Sequence, residues 1–303
     1  MGTKKYKVVL SIDGGGIKGI VPLLILDHIV ANFKSLGQRV VIPDLVDMFA
    51  GSSTGSIICA ALMLKTRNGR QQFQVRDVLN LYLNKGKQIF RKEFSESYNR
   101  ANNPLKVVLQ KNFGTTLLSD LHPDFMFLSF DLIENQPYIF SKHSSDISEV
   151  TVSEALIAST AVPGYYPPIK MRQYELADGM LACKNPSQFA YNYSKLRYPD
   201  ETVLMVSLGT GFKKNERSNL FEEEVRKTNE FLTNISQVDR DFYYIRLQPE
   251  LRTASSDIDD TSPENLKALV DDTLYYLNHE VHFGRLFDLM RIKFTSSNNS
   301  ILK

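Results

Sequence analysis

Short apolar runs alternate with helix-length segments along the chain. The run Val8 to Ile12 ends in glycines, and helical spacing then extends from Ile20 to Leu36, where Gly37 stops it. A second run, Leu45 to Ala50, also leads into glycines and then into the helix-forming segment Ser56 to Leu64. Strands alternating with helices predict the α/β class, with a mainly parallel central sheet between helix layers.

The same alternation continues downstream. Phe125 to Asp131 and Pro137 to Ser141 predict a hairpin around Glu134-Asn135. Helical spacing or capping residues predict further helices at Val75 to Phe90, at Pro104 to Asn112, from Thr151 and from Ser262. Apolar runs predict further strands at Tyr174 to Ala177 and Val203 to Leu208. Since no linker, repeat or charge block interrupts them, residues 1–303 predict one domain.

Glycines form a loop after the first strand, in Asp13-Gly14-Gly15-Gly16-Ile17-Lys18-Gly19. Gly14, Gly16 and Gly19 match the dinucleotide fingerprint G-x-G-x-x-G, although Asp13 would bring a carboxylate beside the pyrophosphate. Exposed N–H groups beside a helix N-terminus also suit an oxyanion hole. A tight turn without a ligand is the third interpretation.

The second glycine motif is Gly51-Ser52-Ser53-Thr54-Gly55, which matches G-x-S-x-G. Because it lies between a predicted strand and a predicted helix, it suits a nucleophile elbow with Ser53 as nucleophile and with Gly51 and Gly55 allowing close approach of the chain. A glycine-rich turn that caps a buried helix is the structural alternative. A later strand ends at Asp178-Gly179, which in isolation is typical of an ordinary turn.

Together, the glycine loop, the serine motif and Asp178-Gly179 resemble the patatin-like phospholipase family, which includes plant patatins and calcium-independent phospholipases. The resemblance covers about residues 7–277 and implies the patatin-like Ser-Asp hydrolase fold. It implies that Ser53 is the nucleophile, that Asp178 is its base, and that Gly14, Gly15 and Gly16 supply oxyanion donors. Met180 departs from the small residue that the family has after Asp-Gly.

The function that this resemblance implies is lipid acyl hydrolysis of the phospholipase A or lysophospholipase type, through a serine acyl-enzyme and without metal or cofactor. The substrate would be a phospholipid or another acyl lipid at a membrane or micelle surface. An acyltransferase using the same dyad is one alternative. A non-hydrolytic module that binds a nucleotide or another anion through the glycine loop is the other.

Composition and charge narrow the class of protein. The net charge is only +2 and the basic residues are scattered, which argues against nucleic acid as a partner. Two cysteines make no disulfide framework and fit a reducing compartment. No signal peptide precedes the first strand, and the apolar run Ile20 to Leu26 is shorter than a membrane span, so we expect a cytoplasmic or peripheral membrane protein.

Three further features are the histidines, an aromatic loop and the C-terminal stretch. Of five histidines, only His279 and His282 follow Asp178, at the end of a polar-faced helix, so a Ser-Asp dyad is expected in place of a Ser-His-Asp triad. The loop Val162 to Pro168 is rigid and aromatic, and it is either one wall of an acyl-chain site or a packed structural loop. The C-terminal stretch Phe283 to Phe294 suits an amphipathic helix.

Overall fold

The computed structural model describes residues 6–90, 104–145, 147–214 and 220–301, with side chains up to residue 295. Eight strands are found in these ranges: β1 Tyr6–Ile12, β2 Met48–Ser52, β3 Asp124–Asp131, β4 Gln136–Ser141, β5 Ile169–Met171, β6 Tyr174–Asp178, β7 Thr202–Leu208 and β8 Phe242–Leu247. They form one sheet in the order β5-β6-β3-β2-β1-β7-β8, with β4 also paired to β3.

Ten α-helices accompany the sheet in the described part of the chain. They are α1 Ile20–Ser35, α2 Ile42–Leu45, α3 Thr54–Met63, α4 Val75–Ile89, α5 Pro104–Phe113, α6 Val152–Ser159, α7 Ser187–Arg197, α8 Leu220–Val238, α9 Pro263–His279 and α10 Val281–Ile301. The expected caps are present: Thr151 and Glu154 form a capping box at α6, and the Ser262 hydroxyl accepts from Asn265 N at the start of α9.

The sheet is parallel at its centre and antiparallel at one side. Strands β3, β2, β1, β7 and β8 run parallel, whereas β4, β5 and β6 join through antiparallel pairs. Helices cover both faces, as the sequence pattern predicts. The mixed α/β class is therefore confirmed, with a central sheet between helices.

Two hydrophobic cores lie on opposite faces of the sheet. Alternate residues of β1 show the division, since Val8 and Leu10 belong to the larger core, whereas Val9 belongs to the smaller one. The larger core packs α1, α3 to α6, α9 and α10, and the smaller core includes Ala190 of α7 and Leu232 of α8. Because both faces of β1 are buried from Val8 onward, Val8, Val9 and Leu10 are consecutive apolar residues with no alternation.

The second strand begins later than its apolar run predicts. The sequence predicts a strand over Leu45 to Ala50, but Ile42–Leu45 forms one helical turn that Pro43 helps to start, and the strand is Met48–Ser52. Asp47 lies at the change of direction, where its Oδ2 accepts from Val8 N at 2.8 Å and from Lys293 Nζ at 2.6 Å. These partners fix the point where β2 begins beside β1.

Within the described ranges, one segment has the length and composition of a membrane span. It is Gly16–Ser35, which is longer than the run Ile20 to Leu26 because the glycine turn continues into α1 with few charges. In this fold, 67% of its most apolar 18 residues are buried. The core helix of a soluble protein can have the same length and composition. The segment is therefore weak evidence for a span, and α1 packs on α4 and α9.

Candidate active site

Ser53 lies at a sharp turn between β2 and α3. Its backbone has φ 50° and ψ −122°, a left-handed conformation that is uncommon for a residue with a side chain. A Cβ at Gly51 would lie 2.4 Å from Ser56 N, and a Cβ at Gly55 would lie 2.1 Å from the Ile12 carbonyl oxygen. Only glycine fits at these two positions, so the G-x-S-x-G spacing reflects close packing around a strained serine.

Asp178 is the hydrogen-bond partner of this serine. Ser53 Oγ donates to Asp178 Oδ2 at 2.7 Å, and the backbone N–H of Met180 donates to Asp178 Oδ1, also at 2.7 Å. Asp178 is fully buried and Ser53 is only 4% exposed. Gly179 is required beside them, because a Cβ there would lie 2.5 Å from the Leu128 carbonyl oxygen.

Strand register brings the two side chains together. Leu128 of β3 pairs with Ser52 of β2, and the next residue, Ser129, pairs with Asp178 of β6. Strand β4 pairs with both of these β3 residues on their other side. Strands β2 and β6 therefore follow one another along the same side of β3, and Ser53 and Asp178 meet where the two strands end.

The environment of Asp178 changes its acidity. Burial raises the pKa of this carboxyl to about 7, while the hydrogen bonds from the Met180 N–H and the Ser53 hydroxyl oppose the rise. A carboxylate with a pKa near neutrality is a much stronger base than an ordinary aspartate. The site thus combines a buried carboxyl group of raised pKa with a serine hydroxyl in direct contact.

The glycine loop borders the serine. A Cβ at Gly14 would lie 3.3 Å from Ser53 Cβ and 2.7 Å from Met180 Cγ. The Gly14 N–H, however, donates to the Lys184 carbonyl oxygen at 2.9 Å, so it is not available as an oxyanion donor. For the N–H groups of Gly15 and Gly16 we find no acceptor among the described residues. The oxyanion role expected of Gly14, Gly15 and Gly16 stays a prediction, and these contacts favour Gly15 and Gly16 as its donors.

A buried ion pair anchors the start of this loop. Asp13 Oδ2 accepts from Arg246 Nη2 at 2.6 Å and Oδ1 accepts from Nη1 at 3.2 Å, while the same Nη1 donates to Ser207 Oγ at 2.6 Å. Asp13 N donates to the Leu208 carbonyl oxygen at 3.0 Å. Sequence reasoning did not find Arg246, because no spacing links two residues that are 233 positions apart.

The histidines lie elsewhere. His279 and His282 are exposed at the junction of α9 and α10, where the His279 ring stacks on Tyr275. Both carboxylate oxygens of Asp178 are occupied by Ser53 and Met180. Within the described ranges, no histidine hydrogen-bonds to either member of the Ser53–Asp178 pair, and no group of three or more His, Cys, Asp or Glu side chains is arranged to hold a metal ion.

A small cavity of about 30 Å³ lies beside Ser53. Val162, Tyr165 and Tyr166 line it, so the aromatic loop predicted as a possible wall does border the serine. Three further lining residues, Ile57, Phe90 and Leu105, also line a mainly apolar cavity of about 300 Å³ between α3, α4 and α5. An acyl chain attached to an ester at Ser53 would therefore meet apolar surface on this side.

A family model and two plant relatives all match this chain to patatin-like proteins. The family model described as "Patatin-like phospholipase" matches residues 10–191. Patatin-like protein 2 of Arabidopsis thaliana is 28% identical over 246 residues, covering 69% of this chain and 60% of that protein. Patatin-07 of Solanum tuberosum is 26% identical over 313 residues, covering 86% of this chain and 81% of that protein.

A solved structure shows the same fold at low sequence identity. It is human GIVD cytosolic phospholipase A2 in complex with methyl gamma-linolenyl fluorophosphonate, with a TM-score of 0.53 and 12% identity. The match covers 97% of this chain and 59% of that one. The chain thus spans about three-fifths of the length of this structure and of the Arabidopsis relative.

Proposed function

The chain belongs to the patatin-like phospholipase family, and from this premise we propose that it is a lipid acyl hydrolase of the phospholipase A or lysophospholipase type. It acts as a calcium-independent serine carboxylic-ester hydrolase on phospholipids or other acyl lipids at a membrane or micelle surface. The observation that carries the proposal is the 2.7 Å hydrogen bond from Ser53 Oγ to Asp178 Oδ2 at a strained strand-to-helix turn.

In the first half-reaction, Ser53 Oγ attacks the carbonyl carbon of the acyl ester and its proton passes to Asp178 Oδ2. The resulting oxyanion accepts hydrogen bonds from the N–H groups of Gly15 and Gly16, and the N-terminus of α3 adds a favourable dipole. Collapse of the tetrahedral intermediate breaks the ester C–O bond. The leaving alkoxide takes the proton from Asp178 and departs as an alcohol.

In the second half-reaction, water attacks the acyl-enzyme while Asp178 accepts its proton. The second tetrahedral intermediate then releases a fatty acid, and Ser53 Oγ recovers its proton from Asp178. A carboxyl group with a pKa of about 7 suits both directions, because it is a base strong enough to accept the proton and an acid strong enough to return it.

The apolar cavity beside Ser53 supports a fatty-acyl substrate. Ile57, Phe90 and Leu105 connect it to the cavity at the nucleophile, so an acyl chain extending between α4 and α5 leaves its carbonyl carbon beside Ser53. Acyl transfer to an alcohol or lysolipid would use the same acyl-enzyme and would differ only in the acceptor. Product analysis separates the two reactions.

The test is incubation of a mixed lipid extract with wild-type protein and with Ser53→Ala, followed by mass spectrometry. We expect acyl lipids to disappear and free fatty acid to accumulate with the wild type only, and a fluorophosphonate probe to label Ser53. Accumulation of a newly acylated lipid in place of fatty acid would establish acyl transfer. Labelling of a different serine, with activity retained in Ser53→Ala, would refute the assigned nucleophile.

A further inference from the structure

A second and larger cavity also adjoins the Ser53 cavity, and it shares no lining residue with the apolar one. Its volume is about 820 Å³, and it shares Tyr165, Ile258 and Asp259 with the cavity at the nucleophile. Helices α8 and α9 contribute to its wall through Phe221 and Tyr276. Ser53 therefore lies between two spaces of different chemistry, one apolar and one lined by many charged side chains.

Six basic side chains line this polar cavity: Lys18, Lys184, Lys213, Lys214, Arg226 and Arg246. Four of them are engaged within the protein. Arg246 pairs with Asp13, Arg226 pairs with Glu223 and Glu230, Lys184 Nζ donates to Glu222 at 2.6 Å, and Lys18 Nζ donates to the Ser256 carbonyl oxygen at 2.5 Å. The contacts of Arg246, Lys184 and Lys18 join separate segments of the cavity wall, whereas the Arg226 pairs lie within α8.

The other two cations, Lys213 and Lys214, follow the end of β7 at the cavity wall. In residues 6–90, 104–145, 147–214 and 220–301, neither lysine is within ion-pair distance of a carboxylate. An ammonium group that is not neutralised by the protein and faces a cavity attracts an anionic ligand. These two lysines are therefore the part of the wall that is available to bind one.

Gln248 adds a neutral hydrogen-bonding group. Its side-chain Nε2 and Oε1 are both buried, and neither has a hydrogen-bond partner among the described residues. The amide packs over Gly209 next to the Arg246 guanidinium and lines the cavity. Because buried amides are nearly always hydrogen-bonded, its N–H groups are suited to a ligand that brings acceptor oxygens.

Acidic residues limit the charge that such a ligand can carry. Asp257, Asp259 and Glu280 also line the cavity, so a polyanion would be repelled from part of its wall. A ligand with a single phosphate group meets less of this repulsion than a polyanion does. Nucleic acid and polyphosphates are therefore poor fits.

We propose that the polar cavity binds the phosphate of the substrate's head group, with Lys213 and Lys214 supplying charge and Gln248 supplying a donor. The proposal rests on the proposed function, since it requires an acyl lipid with its ester at Ser53. It fixes the orientation of that lipid: the acyl chain extends toward α4 and α5, and the head group extends toward α8 and α9. Lys213 and Lys214 then determine selectivity for phospholipids over neutral acyl esters.

The test compares two short-chain substrates with the same acyl groups, dihexanoylphosphatidylcholine and dihexanoylglycerol, both below their micellar concentrations. We expect Lys213→Gln/Lys214→Gln to lower kcat/KM for the phospholipid about tenfold and to leave the value for the diacylglycerol nearly unchanged. The matched control is Lys65→Gln/Lys111→Gln, which removes the same charge from exposed sites outside the cavity. Equal effects on both substrates, or no effect on either, would overturn the head-group site.

Calorimetry on the Ser53→Ala protein tests the cavity without catalysis. sn-Glycero-3-phosphocholine should bind, and the Lys213→Gln/Lys214→Gln change should weaken that binding about tenfold. If inorganic phosphate binds as tightly as the glycerophosphodiester, the cavity is a general anion site and the proposal is wrong. Should the wild type hydrolyse no ester at all, the proposed function fails, and this measurement still decides whether the cavity takes a head group.

Discussion

Ser53 and Asp178 are hydrogen-bonded side chain to side chain at 2.7 Å although they are 125 residues apart in the chain. The carboxylate has no other side-chain donor among the described residues; its second oxygen accepts from the Met180 backbone. A histidine that linked acid and serine would have to separate them. The geometry therefore favours direct proton transfer from the Ser53 hydroxyl to the Asp178 carboxylate.

Replacing Asp178 with asparagine should abolish hydrolysis to the same extent as Ser53→Ala. The amide keeps the shape of the side chain but cannot take the proton of Ser53, so kcat should fall at least about a thousandfold. His279→Ala and His282→Ala, singly and together, should retain most activity, because both side chains are exposed at the end of α9 and the start of α10. A folded double histidine variant as inactive as Ser53→Ala would replace the dyad with a triad.

Activity should rise with pH through the pKa of Asp178. Burial raises this pKa to about 7, so below that pH the carboxyl is protonated and cannot act as a base. We expect kcat/KM for a neutral, soluble ester to increase about tenfold per pH unit below pH 7 and to level off above it. A profile that levels off near pH 4 would show that the base is an ordinary exposed carboxylate, or that the chemical step is not rate-limiting.

Asp178 should also cost the protein stability at alkaline pH. Because its folded pKa is raised from 3.8 to about 7, the folded state holds the proton more tightly than the unfolded state does. The associated stabilisation is fully present below pH 4 and is lost as pH rises through 7. Asp178→Asn should therefore raise the free energy of unfolding by a few kcal/mol at pH 8 and by much less at pH 4, as urea denaturation at both pH values can measure.

The Asp13–Arg246 pair should matter more to stability than an ion pair on the surface. Arg246→Ala leaves the fully buried Asp13 carboxylate without its partner, and we expect a loss of about 3–5 kcal/mol in the free energy of unfolding. The control is Arg226→Ala, which removes exposed contacts with Glu223 and Glu230 and should hardly change the urea midpoint. Comparable midpoints for the two variants would contradict an anchoring role for Arg246.

The sequence predicts those parts of the site that depend on local geometry. Gly51 and Gly55 are needed where neighbouring backbone approaches within 2.1–2.4 Å of a Cβ, and such a requirement leaves a glycine that can be read from the sequence. The caps at Thr151 and Ser262 are equally local, and both are present. The hairpin of β3 and β4 likewise agrees with its two strand-forming runs on either side of the polar pair Glu134-Asn135.

Contacts between distant segments were not predictable in this way. The Lys184 carbonyl oxygen accepts a hydrogen bond from Gly14 N, and Arg246 forms an ion pair with Asp13. The local sequence around these residues predicts neither contact. The misplaced start of β2 has the same origin, since the partners of Asp47 are Val8 and Lys293. Tertiary packing, and not local propensity, determines these two contacts and the start of β2.

Strands β2 and β6 lie end to end along one side of β3, so the backbone spacing of β3 sets the distance between Ser53 and Asp178. Insertion of one residue between Leu128 and Ser129 would move the two strand ends apart by about 3.3 Å and turn all later β3 side chains to the opposite face. Substitutions that preserve backbone length leave this spacing intact. The tolerance of β3 to mutation should therefore differ sharply by type, with changes of side chain accepted far more readily than changes of length.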